Sequence, residues 1–218
     1  QKNINIQTGQ PTILDFDMQR ISQRINIVFN IRTEGNIKRE DLAAPIIELS
    51  GACGRFNIAD ACLDTTRLYR MAHQVQPDEF TQTGEGTYRC VVHFHTLGVI
   101  PSAAKGHLNG PGILQVALQV STPQLDSSGA PVVDEEGNPV KNSRYIYGAI
   151  NPYDELTAAQ LIEVRDGKIY LRYSKEDVNI EITTPLVIKA DQIVPNDTGM
   201  GWQPHDPTNP DDDIIIEI

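Results

Sequence analysis

Hydrophobic and polar residues alternate along much of this chain. Between Arg20 and Arg32, the residues Ile21, Ile25, Ile27, Phe29 and Ile31 share one parity, while Arg20, Arg24, Asn26, Val28, Asn30 and Arg32 share the other. A period of two with β-branched residues on one face predicts a long, half-buried strand. The same pattern places Tyr88, Cys90, Val92 and Phe94 opposite Arg89, Val91, His93 and His95. It also aligns Leu114, Val116, Leu118 and Val120 against Gln115, Gln119 and Ser121. Further strands are expected at 4–6, 144–150, 168–173 and 178–188, and at 66–75 with Tyr69, Met71 and Val75 buried, while 46–58 reads as a strand, a glycine-marked break and a short strand.

The punctuation between these runs is that of turns. Gly84-Glu-Gly-Thr reads as a turn and Asp166-Gly as a two-residue hairpin. Residues 98–112 read as a loop, and 122–142 as an exposed excursion with a small hairpin near 132–140. Pro185 marks a bulge or an edge position. The only helix signal, at 151–162, allows one to three turns, and no internal repeat is evident. Many strands with barely one helix predict an all-β fold, an antiparallel sandwich.

That sandwich is expected to occupy residues 1–198. In 199–218 an acidic, proline-rich linker carries Asp211, Asp212 and Asp213 and then the apolar run Ile214, Ile215, Ile216 and Ile218. A strand so apolar has to be buried, in its own sheet or in a partner's.

Composition narrows the function classes. Hydrophobic residues make up 39% of the chain and charged residues 22%, an ordinary globular balance. The apolar runs are too short to span a bilayer. A formal net charge of -11 repels phosphate backbones and anionic membranes, so nucleic acid is not an expected partner. The chain begins at Gln1 with no basic-then-apolar leader, as a trimmed or mature fragment would.

Candidate chemistry is sparse. His93 and His95 flank Phe94 on one strand face, where two imidazoles could share a metal. A third ligand is not apparent, so a solvated sheet face is the default and no cofactor is expected. Cys53 and Cys62 could close a small loop as a disulfide in an oxidising compartment, whereas Cys90 shares the apolar parity of a buried thiol. The carboxylates Asp134, Glu135 and Glu136, and the acidic run 206–213, read as solubilising charge rather than as a glycosidase pair or a calcium loop. Tyr145, Tyr147 and Tyr153 could form a sugar-stacking surface, although strand tyrosines more often pack a core edge. There is no dinucleotide fingerprint, P-loop or nucleophile elbow, and the chain is read as non-enzymatic.

The strand ending in Phe29-Asn-Ile, the polar linker and then Glu48-Leu-Ser-Gly-Ala-Cys-Gly-Arg-Phe-Asn-Ile resemble the fimbrial-subunit families of Bacteroidales, including anchor, accessory and lipoprotein relatives. Gly112-Ile-Leu-Gln-Val-Ala-Leu-Gln-Val is similar as well, as is the closing pattern of Trp202, acidic spacer and apolar strand. The resemblance implies a transthyretin-like or related Greek-key sandwich, exported and displayed on the outer membrane as part of a fimbrium (pilus) in cell adhesion. It implies other subunits as partners, joined by β-strand pairing, with Ile214, Ile215, Ile216 and Ile218 as the interaction strand and the edge near Pro185 second. An N-terminal β domain and a lipid anchor, the sole membrane contact, would lie outside this chain. The alternative expectation is a carbohydrate- or ligand-binding surface module using the loops 98–112 and 122–142, or a cleft lined by Tyr145, Tyr147 or Trp202.

Overall fold

The computed structural model describes residues 21–35, 37–172, 177–190 and 192–207. The expected strands at 4–6 and 214–218 lie outside these residues. Within them the chain forms a two-sheet all-β sandwich with one short helix, as the alternation predicts.

One sheet has the order β11-β10-β1-β5-β4, built from Gln192–Ile193, Val178–Lys189, Gln23–Glu34, Thr87–Thr96 and Phe80–Gly84. The other has the order β12-β7-β6-β2-β3-β9-β8: Gln203–Pro204, Lys141–Ile150, Leu114–Pro123, Ile46–Asn57, Cys62–Gln74, Lys168–Leu171 and Ile162–Arg165. The helix α1, Tyr153–Ala159, follows β7, packs against β10 and buries Leu156.

Side-chain parity fixes which faces meet. In β1 the inward positions Ile25, Ile27, Phe29 and Ile31 are all fully buried. They pack with Tyr88, Cys90, Val92 and Phe94 of β5, Ile180, Ile182, Leu186 and Ile188 of β10, and Ile47, Leu49, Val116 and Leu118 of the facing sheet. Gly148 is an inward position of β7, and a side chain there would collide with Ile193 and Leu186, so the glycine lets the two sheets close at this end. The expected parity holds for Met71 of β3 and for Val75 just beyond it, but not for Tyr69, which is 36% exposed. Its ring lies over Gly54, in space that a side chain on Gly54 would fill.

One pair departs from the antiparallel expectation: β1 and β10 run parallel. Antiparallel neighbours can be joined by hairpins, whereas a parallel pair needs a crossover. Here β10 enters from the opposite sheet after β9 and so lies alongside β1 in the same direction. The register slips between Phe29↔Ile182 and Ile31↔Leu186, so Thr183, Thr184 and Pro185 bulge opposite Asn30. Pro185 therefore sits where its missing N–H is tolerated.

The sandwich also runs past the expected boundary at residue 198. Trp202 is 1% exposed in the main core, and Gln203–Pro204 forms β12.

The excursion between β6 and β7 contains a repeat that the sequence reading missed. Leu125-Asp-Ser-Ser-Gly-Ala-Pro-Val is followed at once by Val133-Asp-Glu-Glu-Gly-Asn-Pro-Val. Each copy folds into a miniature hairpin, with bridges Leu125↔Pro131 and Val133↔Pro139. In each, the leading aspartate caps the turn: Asp126 accepts from the N–H groups of Ser128 and Ala130, and Asp134 from those of Glu136 and Asn138. At the base, Val132 N–H donates to Gln124 O, Val140 N–H to Val132 O, and Gln124 N–H to Val140 O, each at 2.8 Å. Three hairpin stems thus meet at a closed triangle of backbone hydrogen bonds.

Candidate functional site

The outer edge of β7 is only partly covered. There β12 pairs only with Ala149 and Gly148, and His205 N–H donates to Tyr147 O at 2.9 Å. Because backbone direction alternates along a strand, the N–H and C=O groups of Tyr145 and Ser143 point the same way as that Tyr147 carbonyl. Among the described residues no strand lies beside them. A hollow of about 420 Å³ opens at this point, lined by Tyr145, Ile146, Tyr147, Ile193 and Pro204 among others. Tyr145 is 52% exposed and stacks with Tyr147, ring centroids 6.3 Å apart and planes 25° from parallel.

His93 and His95, the candidate imidazole pair, are not brought together as a metal site. His93 Nδ1 lies 2.7 Å from Asn26 Oδ1, and its Nε2 faces Glu79 Oε1 at 3.5 Å. His95 is exposed and registers opposite Arg24, whose charge opposes a cation there. The partner that sequence reasoning missed is His73, whose Nε2 lies 2.8 Å from Glu79 Oε2. Glu79 reaches this position because the chain crosses from β3 to β4, and Val91 N–H donates to Glu79 O beside β5. The carboxylate therefore links β3 of one sheet to β5 of the other. Burial works to raise the Glu79 carboxyl, but the Gln76 N–H, the hydrogen bond with His73 and the charges of His73 and His93 hold it below its ordinary range. Among the described residues, no three His, Cys, Asp or Glu side chains are arranged to hold a metal ion.

The disulfide that Cys53 and Cys62 could have closed is absent, and the two cysteines lie in a hairpin rather than a loop. Cys53 registers with Leu68 and Cys62 with Asn57. Four residues of strand separate the two rows, about 13 Å, well beyond the Cα separation of about 7 Å that a disulfide tolerates. All three cysteines are buried free thiols. Burial, and then Asp64, push Cys53 up to about 11; burial, and then Glu79, push Cys90 up to about 12.

Trp202 does not line a cleft, being buried against Phe29. Asp134 is taken up in capping its turn, while Glu135 and Glu136 are exposed. Tyr153 lies on α1, apart from the Tyr145–Tyr147 stack on β7. The run Ile214, Ile215, Ile216 and Ile218 and the aspartates 211–213 lie outside the described residues. No helix among the described residues is long and apolar enough to cross a membrane. The chain matches no protein-family model, no curated protein and no solved structure.

Proposed function

We propose that this chain is a non-enzymatic structural subunit of a cell-surface assembly of the fimbrial type, exported and joined to its neighbours by strand pairing. The observation that carries this reading is the β7 edge. Backbone groups of Ser143 and Tyr145 point outward, Tyr145 lines a largely apolar hollow, and no strand pairs with either residue on that side among the described residues. An unpaired edge supplies backbone hydrogen bonds to an incoming strand, and adjacent pockets for alternate side chains supply register. The complementary element is the apolar run Ile214, Ile215, Ile216 and Ile218, which an acidic segment separates from the sandwich. In an assembly, that run from one subunit would seat on β7 of the next.

The test uses the full chain, a truncation lacking 213–218, and a synthetic peptide of those residues. In sedimentation the full chain should associate, the truncation should stay monomeric, and the truncation should bind the peptide. Tyr145→Pro removes an outward N–H without touching the β6–β7 ladder, and it should abolish peptide binding. Normal association of the truncation, or peptide binding that survives Tyr145→Pro, would overturn the proposal.

A further inference from the structure

The outer face of the larger sheet carries a groove beside the β7 hollow, with which it shares Tyr147 and His205. Its cause is visible in the register. Tyr147, Ala117, Ile46 and Gln74 form one row across β7, β6, β2 and β3; Ala149, Gln115, Glu48 and Ala72 form the next. Ala117, small between Tyr147 and Ile46, leaves a depression of about 200 Å³, with Gln115 of the next row beside it on the floor.

The two walls differ in chemistry. On one side stand the rings of Tyr147 and His205. His205 is held in place by Gln115, which is 8% exposed and whose Nε2 lies 3.0 Å from the imidazole Nε2. On the other side stand Glu48 and Arg70, with Oε2 and Nη1 3.8 Å apart and both side chains more than a third exposed. That separation is too long for a hydrogen bond, so the pair does not use up the donors of one group or the acceptors of the other. The Tyr145 ring, stacked on Tyr147, continues the aromatic wall along the sheet.

We propose that this groove binds a neutral sugar unit of a glycan. A pyranose presents an apolar C–H face and a rim of hydroxyls that both donate and accept. An aromatic wall opposite a carboxylate–guanidinium pair matches both features. Glu48 and Arg70 give the groove one charge of each sign, which suits a neutral ligand, and the overall charge of -11 opposes an anionic one. The groove is smaller than pockets for drug-sized ligands, which start at about 300 Å³, and suits one ring rather than a larger cofactor. This inference does not rest on the strand-pairing reading: the groove shares Tyr147 and His205 with the β7 hollow, whereas Glu48, Arg70 and Ala117 line the groove alone.

The test is an array of neutral oligosaccharides printed beside sialylated and sulfated ones, followed by calorimetric titration of the full chain with the strongest neutral binder. The variants are Ala117→Leu, which fills the floor, and Glu48→Gln and Arg70→Met, which remove hydrogen-bonding groups. Each should weaken binding by about tenfold or more, equivalent to about 1.4 kcal/mol, with the melting temperature held. Absence of any neutral binder, a preference for the anionic glycans, or affinity unchanged in all three variants would overturn it. Gln119→Ala, on the same sheet face but outside the groove, should leave binding intact.

Discussion

The indole Nε1–H of Trp202 donates to the carbonyl of Thr184 at 3.0 Å. Thr184 lies in the β10 bulge, where the slip in register takes its backbone out of the ladder. Trp202 therefore satisfies a carbonyl that strand pairing leaves behind, and its ring packs at 45° to Phe29 with centroids 5.2 Å apart. Trp202→Phe keeps most of the apolar contact but removes the donor, and should cost about 1–3 kcal/mol. Trp202→Ala should cost about 3–5 kcal/mol. Urea denaturation followed by circular dichroism measures both, and an unchanged midpoint in Trp202→Phe would refute the role given to the bond. As Trp202 is the single tryptophan, wild-type emission should be blue-shifted and move to the red on unfolding.

The Ile face of β1, the alternation in β5 and β6, the Asp166-Gly hairpin and the bulge at Pro185 were all legible in sequence, because each is a local pattern of parity or turn chemistry. The parallel pairing of β1 with β10 was not, since residues so distant meet only through the crossing between sheets. His73 was hidden for the same reason: it lies twenty residues before His93, and the β3–β4 crossover alone brings the two to one carboxylate. Trp202 was misplaced because proline and acidic residues nearby mark a linker by composition, whereas the bulge it seals depends on long-range register. The tandem hairpins could have been found. The spacing Asp-x-x-Gly-x-Pro-Val recurs after eight residues, but Ser-Ser in one copy and Glu-Glu in the other mask it.

The three thiols should be silent in the folded protein. Cys53, Cys62 and Cys90 are buried, and the raised values of Cys53 and Cys90 leave little thiolate at pH 8. Ellman's reagent should detect almost no thiol in native protein and all three in denaturant, with or without prior reduction. Recovery of one thiol in denaturant without reductant would mean that two are joined.

Glu79 should make the sandwich sensitive to acid. Its carboxylate accepts from Gln76 N–H at 2.8 Å and lies 2.8 Å from His73 Nε2, with 15% of the side chain exposed. Hydrogen bonds to a charged group contribute about 1.5–3 kcal/mol each, and glutamine retains part of that bonding, so Glu79→Gln should cost about 1–2 kcal/mol at neutral pH. Because folding lowers the Glu79 value, its contribution is present above the ordinary value of 4.5 and is lost as pH falls through the folded value. The stability gap between wild type and Glu79→Gln should thus be full at pH 6 and close under acid. Urea midpoints measured between pH 6 and pH 3 test this, and a gap that widens in acid would contradict it.

The excursion between β6 and β7 should fold without contributing to the core. From Gln124 to Val140 no residue is buried, and Leu125 and Val133, the equivalent first positions of the two repeats, are 58% and 55% exposed. Its order is local, held by the two aspartate caps and by the triangle that joins Gln124, Val132 and Val140. The stem continues the β6–β7 ladder to Pro123↔Lys141, where the Lys141 ammonium meets the buried Asp41 carboxylate at 2.7 Å. Replacing 124–140 with Asn-Gly, a turn suited to a two-residue hairpin, keeps that ladder and that ion pair. Shortening a loop changes closure entropy only slowly, by about 0.6 kcal/mol for each halving, so the melting temperature should fall little or rise. By contrast, Asp126→Ala combined with Asp134→Ala should leave melting unchanged while exposing the excursion to protease, because the caps order the turns and nothing else. A large loss of stability in the Asn-Gly replacement would show that the three-stem unit supports the sheet beneath it.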